Sequence, residues 1–312
     1  MELLMLGLIA GAVVPFQTAV NSRLRTYVIS PFISSLISFL VGTTFLIVVT
    51  LISGGHILLS ANQIAVIPWW MYLGGVLGMI GLTTNILLFP ILGSVQTVIM
   101  PVLGQIIMSM VIDNYGMFGT TLHPLSLMRI VGVVLLIVGV LVVVALPGYL
   151  VKDPFEDSKQ HQVRFKWLWQ LFGVVVGGML AIQAALNGRL GGLLHAPIHA
   201  ALISFLIGTL MLFIVALCQG TLKNIRLVTR QKTPWWVWIG GFFGAAYIFL
   251  NSYLVPEIGT GTVVVLVLLG QIISSLNIDQ FGLLGSMKSS ITVAKVVGLV
   301  VMIVGVGLIE VM

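Results

Sequence analysis

Residues 104–119 read GQIIMSMVIDNYGMFG, and residues 270–285 read GQIISSLNIDQFGLLG. Two such stretches in one chain raise the question of a repeat, which has to be settled before any local reading. Sliding the sequence on itself by 166 positions aligns residues 1–146 with 167–312 without a gap, and roughly a third of the aligned positions are identical. ISFLVGT at 37–43 meets ISFLIGT at 203–209, and the Pro-Trp-Trp at 68–70 meets its copy at 234–236. FQTAVNSRL at 16–24 meets IQAALNGRL at 182–190. The chain is an internal duplication.

Composition places this duplication in a bilayer. The chain is 59% hydrophobic and 7% charged, with a mean hydropathy of +1.19. A hydrocarbon slab about 30 Å thick takes about 20 apolar residues per helical span. Ten segments qualify, at roughly 3–24, 31–53, 69–89, 93–112, 128–146, 167–190, 197–218, 235–255, 259–277 and 292–311. Five spans per copy is an odd number, so the second copy enters the membrane from the opposite face. The expected fold is an all-α integral membrane protein of ten transmembrane helices in two inverted five-helix repeats, 1–147 and 167–312. A mixed-charge linker at 148–166 joins them. Transporters built this way place the substrate between the repeats near the midplane.

Charge sets the orientation. Arg23, Arg25, Lys152, Lys159, Arg164, Lys166, Lys223, Arg226, Arg230, Lys232, Lys288 and Lys295 fall on the side opposite the termini, against only Arg129 and Arg189 on the termini side. Positive residues gather in cytoplasmic loops, so the linker is expected inside and both termini outside a cell membrane crossed many times. The net charge of +6 is this bias rather than a nucleic-acid surface, since no basic block occurs. A single cysteine, Cys218, excludes an intrachain disulfide and a thiolate metal site. The N-terminus lacks the basic region of a signal peptide, and its copy at 167–190 is internal.

The paired Gln-x-x-x-Asn-x-Arg-Leu, the Pro-x-x-x-x-x-x-Ser-Phe-x-x-Gly-Thr after each, the Pro-Trp-Trp starts and the Gly-Gln-Ile-Ile segments together resemble the YdcZ-like family of the drug/metabolite transporter superfamily. The resemblance covers both halves and implies a fused, ten-helix, small-molecule transporter of the export type. Better-known ten-span relatives hold both termini in the cytoplasm, whereas the charge count puts these outside.

Polar residues in the spans are the candidate site. Gln17 and Asn21 share a helix face, as do Gln183 and Asn187, each pair preceded by glycines at close-approach spacing, Gly7 and Gly11 or Gly173 and Gly177. Asn85 and Asn251 each follow a glycine pair, Gly74 and Gly78 or Gly240 and Gly244, where they are expected to hydrogen-bond across a helix contact. Gln105, Ser109 and Asp113 form a stripe matched by Gln271, Ser275 and Asp279. Each of these amides and hydroxyls either braces helices or lines a path for substrate, because lipid-facing polar groups are costly. Inversion sets Arg23 beside Asp279 at one mouth and Arg189 beside Asp113 at the other, as candidate gate pairs. Arg129 and Lys295 compete for the same acids, and exposed pairs contribute little.

No acid lies near the centre of a span, which argues against a proton-for-cationic-drug antiporter and suits a neutral, zwitterionic or strongly hydrogen-bonding metabolite. If a proton or other ion gradient drives transport, Asp113 and Asp279 are its candidate sites. His195 and His199 have metal-like spacing, but their repeat counterparts are Ile29 and Ile33 and Pro197 intervenes. Neither a metal, a cofactor nor a catalytic constellation is expected, so the chain reads as no enzyme. Trp69, Trp70, Trp235 and Trp236 are expected at the interfaces. Pro90 with Gly93 and Pro256 with Gly259 mark turns between spans, with Glu257 an exposed turn acid. The partners are the bilayer and a small-molecule substrate, and a fused pair of repeats suits a monomer. The rival from another class is a passive channel, which would carry fast flux without exchange.

Overall fold

A computed structural model describes residues 2–53, 57, 65, 67–120, 122, 124–150, 165–230, 232–258 and 260–311. Residues 151–164 of the linker, Gly259, and the side chains of Pro256 and Glu257 lie outside the described residues, and so do the expectations placed on them. The described elements are helices and turns: α1 Glu2–Val28, α2 Pro31–Ile52, α3 Leu73–Tyr115, α4 Leu127–Leu150, α5 Lys166–Leu194, α6 Pro197–Cys218, α7 Gly240–Ile258, α8 Thr260–Phe281 and α9 Val293–Val311. A short helix, Ile225–Arg230, lies between α6 and α7. Among the described residues, six helical stretches are long and apolar enough to cross a membrane, and two shorter apolar helices, Leu266–Phe281 and Val293–Ile309, accompany them.

Local chemistry sets the ends of these rods. Pro31 and Pro197 start α2 and α6 at the position where a missing N–H costs nothing. Gly116, at φ 59°, ends α3, and Gly282, at φ 61°, follows α8, both in the left-handed turn that glycine enters without a Cβ penalty. Within α3, Gly93 takes φ 79° and ψ 173°, which breaks the rod into 73–92 and 94–115. The turn expected after Pro90 is therefore a sharp break inside one assigned helix. In the second half the matching position, Gly259, lies outside the described residues, between α7 and α8. Trp69 and Trp235, 74% and 75% exposed, stand in short 3-10 turns after Pro68 and Pro234, as interfacial residues do.

Contacts between the halves are reciprocal. Phe39 and Phe205 meet with ring centroids 4.9 Å apart, and the hydroxyls of Thr43 and Thr209 lie 3.1 Å apart. Each residue in these pairs touches its own repeat counterpart, which happens only on an axis of pseudo-twofold symmetry. The α4–α9 contact is reciprocal in another way: a Cβ at Gly132 would lie 2.6 Å from Gly305 O, the counterpart of Gly139, and one at Gly139 would lie 2.6 Å from Gly298 O, the counterpart of Gly132. One buried cluster gathers around α2, α6 and α7 with Leu36, Phe39, Phe205 and Leu212, and another joins α3, α4, α8 and α9 through Ile99, Leu136, Ile272 and Leu299. Leu141, Leu210, Val300 and Val304 are exposed, a covering that suits lipid tails.

Candidate functional site

α1 carries Gln17 and Asn21 one turn apart. Asn21 is 1% exposed; its Nδ2 donates to Ser38 Oγ on α2 at 2.9 Å, and Ser34 Oγ donates to the Asn21 carbonyl at 2.6 Å. The second copy repeats the first bond, with Asn187 Nδ2 donating to Ser204 Oγ at 3.3 Å. In both copies the amide Oδ1 is buried and lacks a hydrogen-bond partner. Glycines of the opposite half pack against these amides. A Cβ at Gly240 would collide with Asn21 Oδ1 and one at Gly244 with Gln17 Nε2. Gly74 stands in the same relation to Asn187 Oδ1, and Gly78 to Gln183 Nε2. Amides from each half thus press into glycine hollows of the other, along an α1–α7 seam and an α5–α3 seam. A buried acceptor left unpaired costs about 1–3 kcal/mol, so each closed seam carries an unspent hydrogen-bond acceptor.

The glycines ahead of the amides do what their spacing predicts. Gly11 lies so close to α8 that a Cβ there would overlap the Val267 carbonyl, and Gly177 lies equally close to Pro101 of α3. Asn85 and Asn251 depart from expectation. Asn251 Nδ2 donates to Tyr247 O on its own helix at 3.2 Å, and Asn85 Oδ1 is buried without a partner, so neither makes the bond across a helix contact that the glycine pairs suggested. Gln105, Ser109 and Gln271 are half-buried, while Ser275 is buried and donates to Ile272 O within α8 at 2.9 Å. Its neighbour Ser274 reaches α1 instead, donating to Ala12 O at 2.8 Å. His195 closes α5 in the left-handed conformation, and His199 lies in the first turn of α6.

Asp279 is 5% exposed and fully engaged. Its Oδ1 accepts from Ser94 N at 2.9 Å and Ser286 Oγ at 2.7 Å, and its Oδ2 accepts from Val95 N at 2.9 Å. Ser94 and Val95 begin the second part of α3, just past the break at Gly93, so a carboxylate from one half caps a helix of the other. A helix start offers unpaired N–H groups and a partial positive charge that favour an anion. Arg23 is not the partner of this acid: its guanidinium lies over the Tyr27 ring, 5.6 Å from the centroid, and beside Gly285. Arg189 takes the matching place beside Gly119, within 3.1 Å of where its Cβ would lie. Asp113 is half-buried and engaged. Sequence symmetry brought each arginine to the correct loop, but the acid is held by backbone amides.

A family model described as "Putative inner membrane exporter, YdcZ" matches the chain twice, over residues 3–142 and 168–308. The chain belongs to the YdcZ family. The two matches cover the two halves defined by the 166-residue repeat, and together with the apolar helices they make the chain a multi-pass membrane protein of a transporter family. No curated protein matches the YdcZ chain. A solved crystal structure, described only as that of a protein, covers 96% of this chain and 96% of its own, with a TM-score of 0.52 at 12% identity, which is a likeness of fold alone.

Several residues of the seam escaped sequence reasoning. Ser38 and Ser204 stand inside the repeated ISFL motif, so their recurrence was a usable signal. Gln96 and Gln170 gave none: Gln170 Nε2 donates to Gln96 Oε1 at 3.0 Å, yet their repeat counterparts are Thr262 and Leu4.

Proposed function

We propose that the chain is a ten-span secondary transporter of two inverted five-helix repeats, exporting a small polar or neutral metabolite by alternating access. The carrying observation is the reciprocal packing of Gln17 and Asn21 on Gly244 and Gly240, and of Gln183 and Asn187 on Gly78 and Gly74. Closely packed helix seams with unspent acceptors are interfaces that can part, and a substrate bearing hydrogen-bond donors takes up Asn21 Oδ1 or Asn187 Oδ1 when they do. Opening one seam while the other stays shut exposes the space between the repeats to one side at a time. In this reading Asn85, Asn251, Gln105, Gln271, Ser109 and Ser275 extend the polar wall. Arg23 and Arg189 flank the two mouths, Asp279 and Asp113 act in gating, and the protein works as a monomer.

The test begins with the compound that accumulates in the medium of cells overproducing the chain. In proteoliposomes that compound is expected to show saturable uptake driven by counterflow. Fast flux without exchange identifies a channel instead.

Orientation has its own test. Reporter fusions at Met312 are expected to read outside and fusions within 148–166 inside, following the twelve Lys and Arg on the linker side. A cytoplasmic Met312 with the spans intact reverses every inside and outside assignment.

A further inference from the structure

Asp279 joins three elements. It sits near the end of α8, caps the second part of α3 through Ser94 N and Val95 N, and accepts from Ser286 in the loop before α9. The backbone of the same residue holds that loop as well, since Ser289 N donates to Asp279 O at 3.0 Å. α8 belongs to the second repeat and α3 to the first, so the repeats cannot separate at this end without breaking the two amide bonds. The N–H groups of a first helical turn have no acceptor within their own helix, and Gly93 at φ 79° interrupts the preceding segment.

The bonding pattern favours an ionised acid. Two backbone N–H groups, which can only donate, and one hydroxyl face the carboxylate oxygens. A proton on Oδ2 would face the Val95 N–H donor, and a proton on Oδ1 would be shared with the Ser286 hydroxyl, which can turn to Met287 O, at the expense of the bond from Ser94 N. Among the described residues the surrounding charges are positive: Lys295 of α9 acts on the acid across the loop, where its Nζ donates to Ser289 Oγ and Ser290 O, Lys288 lies beside Gly282, and Arg23 of α1 lies beside Gly285. Burial opposes the charged form of Asp279, and the bonds from Val95 N, Ser286 Oγ and Ser94 N, with Lys295 across the loop, favour it; separation of the elements that carry these groups removes that support.

We infer that Asp279 is a proton-operated latch between the repeats: a proton bound at its carboxylate releases Ser94 and Val95 and lets this end of the molecule open, which makes the coupling ion of the proposed transport a proton. The inference rests on the alternating-access reading for its role in transport, but the latch itself is read without any substrate.

Hydrogen exchange at the Ser94 and Val95 amides of the full chain in lipid nanodiscs measures it directly, because Asp279 is the acceptor of both. After correction for intrinsic exchange, wild-type protection is expected to fall about tenfold from about pH 8 to about pH 5. Asp279→Asn, which cannot titrate, is expected to give the low protection at both pH values. Ser286→Ala keeps the carboxylate but removes one donor that favours its charged form, so its transition is expected about one pH unit higher. Flat protection in the wild type, wild-type protection in Asp279→Asn, or an unmoved transition in Ser286→Ala each overturns the latch. Any of these results leaves the counterflow outcome untouched, and absent counterflow leaves the exchange result standing, so the two failures are distinct.

Discussion

Gly270→Ala is expected to destabilise the folded protein by about 3 kcal/mol, whereas Gly188→Ala is expected to stabilise it by about 0.5–1 kcal/mol. Both glycines lie within helices of the second half, and chemically the substitutions are identical. The difference lies in what the new methyl meets. At Gly270 it would overlap the Leu8 carbonyl and stand 2.9 Å from Ala12 N, both backbone atoms of α1 that no rotamer change can move aside. α1 and α8 would have to separate, and hydrophobic burial elsewhere in a bilayer does not make good the forfeited van der Waals packing, because lipid tails are as apolar as the helices. Around Gly188 nothing lies within 4 Å of the added Cβ, so only the gain in helix propensity remains. Thermal unfolding of the two variants in one detergent measures the contrast. The same temperature shift in both would mean that the α1–α8 seam is not the close approach described, and Gly104→Ala, which would overlap Val174 O of α5, gives the matching check on the other seam.

This contrast also marks how far the sequence could be read. Gly7, Gly11, Gly173 and Gly177 declared close helix contacts by their spacing, and the repeat declared that any contact of one half has a counterpart in the other. Neither named the partner. That Gly11 meets Val267 and Gly240 meets Asn21 depends on how two five-helix units turn against each other, a property of long-range packing that carries no period in the sequence. The Asp279 site shows the same boundary. A carboxylate ending a polar stripe was legible, and its opposite charges were found by symmetry. Its actual partners, Ser94 N and Val95 N, are backbone groups, which any residue but proline supplies and no side-chain pattern announces. The break that frees those amides was legible in Pro90 and Gly93, so the cap required only the step from charge pairing to helix ends.

The double substitution Asn21→Leu with Ser38→Ala is expected to leave stability unchanged or raised while abolishing transport, with counterflow down at least about tenfold. The expectation follows from the unequal energetics of a buried polar pair. Asn21 and Ser38 share one hydrogen bond of 2.9 Å, worth about 1 kcal/mol net, but Asn21 Oδ1 is buried with no partner, at a cost of about 1–3 kcal/mol. Ser38→Ala alone removes the bond and keeps the cost, so it is expected to destabilise by about 1–2 kcal/mol. Replacing both residues with apolar groups removes bond and cost together, and leucine keeps the heavy-atom branching of asparagine, its two polar atoms exchanged for bulkier methyls whose extra volume the Ser38→Ala change on the facing helix partly accommodates. An amide kept only as a brace would make the double variant less stable than the wild type. An amide kept for a passing substrate would make it at least as stable, and inactive. Unfolding temperature and counterflow, measured on the same preparations, separate these roles: a stable, fully active double variant would remove Asn21 from the substrate path and leave its place to the half-buried Gln17 beside it.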